Sequence, residues 1–515
     1  MTKLAEPRTS GPRDADGRAV TRWIRAELLT WPAVEKRDGG WRRAVARAAV
    51  VAVALGLMTE SWDRFLNVEA LGYNLKLPSL LFSIAAIALV VAVRHPIRLV
   101  LQRAFQRYTV VLTAAIVLYL AVRGVFTTSP LAASAQLAAV LSGAVLPFVA
   151  LLLVLRTRRD LLWAISWLSL GAAVAAAFGV YQLIAFYAGL PQGIEYSGVS
   201  IGTGLGRISS FSYEPAYFSY FVILVLGAVV ARRRMLGGEV SWPTLGVFGA
   251  VLYLINVRAA PLMVVAVGGL LLLAFSSYRR LIARGAIVLV CATVVALAVP
   301  VLIAQISTAG GQTSNASIPT DRFRSPATET TQPSETSTSP AAATPAPAPS
   351  ESAAPETGVG EPLQAFDPNE QSSNSPRLEL YKAVLATVGR SPVFGVGPGN
   401  LGPVLQRDAP GAIANQGAQV VANNIWLQAL ADGGIPLLLM EMAVIGGVAV
   451  AGVRRRRFFT YPLVAAWLSV LLVGGMLTSY FFDIKVWVAL GLLVAGVRVV
   501  DLERQAGTTP RQPLM

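Results

Sequence analysis

Long apolar runs separated by short polar gaps dominate this chain, and the gaps are of two alternating kinds. Arginine clusters fall in every second gap, at residues 94–107, 156–159, 232–234, 279–284 and 454–457, and the gaps between them are poor in Lys and Arg. Each run is near the ~20 residues that cross a bilayer core. The alternation is the positive-inside pattern of a polytopic membrane protein. About twelve spans are predicted, near residues 42–59, 78–93, 109–126, 131–155, 161–189, 214–231, 241–257, 259–277, 282–306, 423–452, 459–480 and 484–500. With the N-terminus inside, every arginine cluster is cytoplasmic, and so is the C-terminus. The predicted fold class is an all-α polytopic membrane protein with one large external loop between spans 9 and 10.

Composition agrees with that pattern. Charged residues make up 14% of the 515 residues, against about 25% in soluble domains. The net charge of +15 lies mostly on one side of the membrane, where topology and anionic headgroups account for it. No basic face with aromatics and no nucleic-acid module is present, so nucleic acid is excluded as a partner. Cys291 is the single cysteine and His95, in a basic gap, the single histidine. A His-based metal site and a Ser-His-Asp triad are thereby excluded, and no cofactor is expected.

The pattern divides the chain into a cytoplasmic N-terminal tail (1–41), spans 1–9 (42–306), an external loop (307–374), a folded external segment (375–422), spans 10–12 (423–500) and a cytoplasmic C-terminal tail (501–515). The N-terminal tail is too long and polar for a cleaved signal peptide. Trp23, Ile24, Leu28 and Leu29 suit a short helix on the headgroups. Residues 307–374 are rich in Thr, Ser, Pro and Ala and are expected to be disordered, as a linker or a carrier of O-linked sugars. In 375–422, Ser375 suits a helix cap with Pro376 at the first helical position. Leu380, Tyr381, Val384, Leu385 and Val388 form an apolar stripe, and Pro392 ends the helix. This helix is expected against the outer membrane surface or on the mouth of the bundle. The run GVGPGN (395–400) lacks phosphate-loop spacing and reads as a turn.

Arg207, Arg258 and Arg377 lie on the side from which positive charge is otherwise depleted. One reading is that each snorkels or pairs with an acid. The other is that three converging guanidiniums hold a pyrophosphate on a lipid carrier, since arginine binds phosphate oxygens in bidentate fashion. Glu214, beside Pro215, reads as a charge at a helix N-terminus or as a general base. Asp432, about two turns into its helix, reads as paired with an arginine or as a proton-transfer group. Asn423 and Asn424 read as helix caps or as sugar ligands. With Tyr213 and Tyr381 they are the substrate-binding candidates. Glu441 is a further intramembrane acid without an assigned role.

Four stretches carry a resemblance. RLELYKAVLATVGRSPVFGVGPGN (377–400), NNIWLQALADGGIPLLLM (423–440), GRISSFSYEPAYFSYF (206–221) and NVRAAPLMVVAVGGLLLL (256–273) together resemble the O-antigen ligase and O-antigen polymerase superfamily of bacterial envelope proteins. The resemblance implies a GT-C-like membrane glycosyltransferase of the bacterial cytoplasmic membrane. Such an enzyme needs no metal or nucleotide. It moves a glycan from a polyprenyl-pyrophosphate carrier to an acceptor hydroxyl on the outer face, alongside other polysaccharide-assembly proteins. It also implies that Arg207, Arg258 and Arg377 hold the pyrophosphate, with Glu214 or Asp432 as acid–base groups. Asn423 stands where the ligases carry a histidine, and asparagine accepts no proton at neutral pH. Asn424 matches the family asparagine, and Asp432 stands where the family has Glu. Two other readings are a lipid-linked glycan transporter or flippase, for which no internal repeat is evident, and a scaffold with a degenerate site.

Overall fold

The computed structural model describes residues 32, 40–63, 68–70, 73–188, 190–191, 193, 208–212, 214–255, 257, 259–274, 278–288, 291, 374–413, 420–476 and 481–507. The N-terminal surface helix around Trp23, nearly all of the 307–374 loop and most of the ninth predicted span lie outside these residues.

The apolar runs fold as helices, the local structure that satisfies every backbone polar group without water. In chain order they are α1 Gly40–Met58, α2 Leu77–Ala92, α3 Pro96–Val100, α4 Ala104–Val125, α5 Pro130–Val140, α6 Leu146–Val154, α7 Arg158–Ala188, α8 Pro215–Met235, α9 Trp242–Ile255 and α10 Ala259–Leu272. Later in the chain come α11 Asn374–Arg390, α12 Leu401–Asp408, α13 Ile425–Arg454, α14 Tyr461–Leu472 and α15 Ile484–Gln505. Among the described residues five helices are long and apolar enough to cross a membrane: Ala104–Val125, Pro130–Val154, Arg158–Phe186, Pro215–Met235 and Ile425–Arg454. A small antiparallel hairpin, β1 Val68–Ala70 with β2 Tyr73–Leu75, joins α1 to α2 and departs from the all-helical expectation.

Burial orders the bundle. Every residue of α15 from 484 to 500 is buried, as expected of a helix that is packed on all sides. It packs against α6 and α14, while α8 packs on α14 and α1 on α2. Gly227 of α8 lets α14 approach closely, since a Cβ there would lie 2.6 Å from the Ala466 methyl. Between α5 and α6 the helix widens to π geometry at Leu141–Val145. Pro147 follows at once, and the wider turn relieves the clash of its ring with the carbonyl four residues back.

The arginine clusters meet at one end of the bundle. Arg103 donates to Gln505 at 2.7 Å, Arg158 lies 3.7 Å from Glu503 and donates to the Met235 carbonyl, and Arg455 grips Asp501 at 2.9 and 3.0 Å. Arg498 is 2% exposed and donates to the Leu152 and Leu155 carbonyls that end α6. Helix C-termini attract cations because their last carbonyls lack backbone partners. The predicted C-terminal tail begins as helix, because α15 continues to Gln505 to supply these contacts.

Candidate active site

The opposite end of the bundle gathers the motif-bearing stretches. Arg207, Tyr213 and Arg258 lie outside the described residues. Their neighbours are described: Ile208 is buried, and its backbone N–H donates to the Leu254 carbonyl at 3.4 Å, joining the stretch after Arg207 to the end of α9. Ser210 takes φ +54°, its hydroxyl donates to the Ala175 carbonyl at 2.6 Å, and its N–H donates to Gln182 at 2.8 Å. Phe211 stacks on Phe178 with ring centroids 4.2 Å apart. The segment is thus pinned to α7 from both its polar and its aromatic sides. Glu214 is exposed at the N-cap of α8 and makes no side-chain cap bond.

Helix α11 begins at Asn374, two residues earlier than a Ser375 cap would allow, and ends at Arg390 ahead of Pro392. Arg377 is exposed in its first turn. Of the predicted stripe, Leu380, Val384 and Val388 are buried and pack with Leu401, Leu405, Ile413 and Ala431. Leu385 is not part of it: at 53% exposure it faces away, since it lies one position beyond Val384 and so about 100° around the helix. The helix therefore rests on the first turns of α13 and on α12, the bundle-mouth placement of the two foreseen.

One carbonyl ties three elements together. Tyr381 Oη donates to the Asn423 carbonyl at 3.0 Å and to the Met476 carbonyl at 3.4 Å. Asn424 Nδ2 reaches the same Met476 oxygen at 3.4 Å. Burial raises the pKa of the Tyr381 phenol, while the Arg377 charge one turn earlier works against that shift. Asn424 Oδ1 accepts from Trp426 N at 3.0 Å and Leu427 N at 3.1 Å, so its side chain caps α13. Asn423 takes φ +50°, a left-handed conformation that asparagine tolerates better than most residues.

Asp432 is 4% exposed. Its partner is a neutral amide, since Gln428 Nε2 donates to Oδ2 at 3.0 Å, and the Gly399 backbone amide also supports the carboxylate. Directly after it α13 breaks: Gly434 has φ +67° and Pro436 follows. A broken helix inside a bundle leaves backbone groups that bilayer lipid cannot satisfy. The loop after α11 satisfies them here. Val396 N donates to the Ala431 carbonyl at 2.7 Å, and Ile435 N donates to the Pro392 carbonyl at 3.1 Å. Tyr119 Oη donates to the Gly433 carbonyl at 2.6 Å. The GVGPGN run is the turn it was read as, and it forms the plug of this break. Glu441, further along α13, is buried, and its Oε2 has no hydrogen-bond partner among the described residues.

Sequence reasoning missed Arg123. It sits at the end of α4 away from the arginine clusters, over the Phe394 ring at 5.4 Å, and donates to the Gly395 carbonyl at 3.5 Å. The signal was the one used for the other three arginines: a lone cation at the end of an apolar run where positive charge is otherwise scarce. Also missed were Glu60, Asp63, Lys76, Asp483 and Lys485, whose contacts join the two ends of the chain.

Residues 243–442 match the sequence model of a family described as O-Antigen ligase. The matched stretch contains Arg258, Arg377, Tyr381, Asn423, Asn424, Asp432 and Glu441, and it ends before Asp483 and Lys485. The match supports the resemblance to the O-antigen ligase superfamily. No curated protein matches the chain.

Proposed function

We propose, from the O-antigen ligase domain that this membrane enzyme carries at residues 243–442, that it transfers an oligo- or polysaccharide from a polyprenyl-pyrophosphate carrier to an acceptor hydroxyl. The reaction takes place at the outer face of the bacterial cytoplasmic membrane, on a GT-C-like scaffold of about twelve spans whose arginine-rich end faces the cytoplasm. Donor glycan, acceptor glycan or lipid, and the bilayer are its partners. Other polysaccharide-assembly proteins act beside it.

The acceptor oxygen attacks the anomeric carbon, the bond from that carbon to the pyrophosphate oxygen breaks, and the electron pair leaves with the pyrophosphate. Arg207, Arg258 and Arg377 hold that group and stabilise its growing charge. A preorganised donor aimed at developing charge contributes roughly 3–4 kcal/mol. Tyr213, Tyr381, Asn423 and Asn424 bind the glycan, and Glu214 and Asp432 serve the site electrostatically. No metal enters this scheme.

The observation that carries this reading is the junction at the Met476 carbonyl. There α11, with Arg377 in its first turn, meets the Asn423–Asn424 turn that opens α13. Two of the family-like stretches are thus held together by hydrogen bonds, as a shared site requires.

The test is replacement of Arg207, Arg258 and Arg377 by alanine, one at a time, in the host, with protein levels checked. Each is expected to reduce surface glycan on the order of a hundredfold or more. Normal glycan in all three strains rejects the reading. In a deletion strain, accumulating short lipid-linked units identify a polymerase, and long unattached chains identify a ligase.

A further inference from the structure

A second set of charges is buried at the same end of the bundle, assembled from both ends of the chain. Asp63, in the turn after α1, receives Lys485 Nζ at 2.6 Å and Lys76 Nζ at 3.0 Å. Asp483, the N-cap of α15, stands 3.7 Å from Lys485 and 3.8 Å from Lys76. The side chains of Asp63 and Lys485 are each 1% exposed. Glu60 faces the same four groups, is itself 1% exposed, and among the described residues has no hydrogen-bond partner on either carboxylate oxygen.

Charge balance assigns the protons. Burial raises the Glu60 pKa well above its ordinary value, and the attraction of Lys485 does not offset it. Burial also pushes Asp63 upward, but Lys485 and Lys76 together outweigh it and hold that carboxyl below the usual range. With Glu60 neutral, two ammoniums face two carboxylates. Among the described residues, an ionised Glu60 would add a third carboxylate beside two ammoniums, and a buried charge without a partner is costly. Asp483 lies between the two cations, Lys485 and Lys76.

Asp483 and Lys485 also form one wall of a small cavity. Tyr217 and Tyr220 of α8 and Ile425 of α13 form other walls, and Lys485 Nζ lies 5.8 Å from the centre of the Tyr217 ring. The space is of the size that holds one water molecule, and so one hydroxyl group. Ile425 is two residues beyond Asn423, and Tyr217 is three beyond Glu214. The cavity is where the two motif-bearing helix starts face each other.

We propose that Asp483 is the proton acceptor of the transfer, taking the proton of an acceptor hydroxyl that enters this cavity. This rests on the glycosyl-transfer reading above. As the hydroxyl oxygen bonds to the anomeric carbon and the pyrophosphate departs with the electron pair of the broken bond, the hydroxyl proton passes to the Asp483 carboxylate. It is then lost to water, which restores the charge balance with Lys76 and Lys485. The other candidates are worse placed. Asn423 has no proton affinity to offer, Glu214 is exposed outside the cavity, and Asp432 is enclosed by Gln428 and the turn containing Gly399.

The experiment uses the full chain in liposomes with polyprenyl-pyrophosphate-linked glycan extracted from a deletion strain and the host's own acceptor. Asp483→Asn keeps the capping geometry and removes the proton acceptor. It is expected to lower kcat by about a hundredfold or more, to leave KM for the donor nearly unchanged, and to abolish the acid limb of the rate–pH profile. A D483N enzyme with wild-type rate and pH profile, tested beside an inactive Arg377→Ala, overturns the assignment and leaves glycosyl transfer standing. A wild-type chain that transfers no glycan removes both. Should D483N fail to accumulate in the membrane, Asp483→Glu moves the carboxylate by one methylene. A slowing of about tenfold or more with the acid limb retained supports the assignment, and an unaltered rate overturns it.

Discussion

Asn400 Oδ1 accepts the backbone N–H of Ser129 at 2.9 Å, across 271 residues of sequence. The same oxygen accepts the Thr128 hydroxyl at 3.1 Å, and Nδ2 turns back to the Pro398 carbonyl at 2.9 Å. A single buried amide thereby fixes the turn after α11 to the start of α5. Asn400→Ala leaves the half-buried Ser129 N–H without this partner, and the loss of one such hydrogen bond costs about 0.5–1.5 kcal/mol. A lower thermal midpoint of the detergent-purified protein is the expected result. An unchanged midpoint would mean that water or a neighbouring carbonyl replaces the bond.

Gly434 occupies the break in α13 at φ +67°, and a Cβ there would collide with the Val393 carbonyl. Gly434→Ala therefore combines an unfavourable conformation with displacement of the plugging turn. It is expected to destabilise by more than the ~1 kcal/mol of a simple left-handed penalty. Gly446→Ala, where a Cβ meets nothing within 4 Å, is the control and is expected to be neutral or better. Limited proteolysis of the 391–400 turn distinguishes the two.

Glu60 makes stability pH-dependent in a definite direction. Its folded pKa is raised by burial, so folded and unfolded chains both hold the proton below the unfolded value of about 4.3. As pH rises past that value the unfolded chain gives up the proton first, and stability falls until the folded pKa is reached. Glu60→Gln removes this loss. The thermal midpoint of E60Q is expected to match wild type near pH 4 and to exceed it increasingly toward neutral pH. A constant difference across that range would rule out a neutral Glu60.

Tyr381 spans the junction at Met476 through its hydroxyl alone. Tyr381→Phe keeps the ring and loses both donations, so a stability change on the order of 1 kcal/mol is expected. If the junction holds α11 over the reaction site, transfer falls by more than that stability loss accounts for. Transfer and thermal midpoint measured on the same preparation separate the two effects.

What the sequence made legible was periodic or local. The apolar runs set where helices form, the arginine clusters foretold which helix ends come together, and the 395–400 run read correctly as a turn. Leu385 misled because it is apolar and adjacent to Val384, although helical geometry turns neighbouring residues to different faces. The break at Gly434 had a local signal in GGIP, but the groups that heal it come from residues 392 and 396 and from Tyr119. No periodicity encodes such partners. The Lys485–Asp63 contact spans 422 residues. Each partner alone looks like a polar residue at a span end, and only the fold shows that their side chains are buried together.

The interrupted α13 has a consequence for how the protein is made. The turn that completes its hydrogen bonding precedes it in the chain, so the ribosome delivers the filler before the gap exists. Until the two meet, the Ala431 carbonyl and the Ile435 amide have no route to solvent inside lipid. Docking of this turn is thus a step of membrane insertion itself, and a chain that cannot dock it should be recognised by quality-control proteases as unfinished.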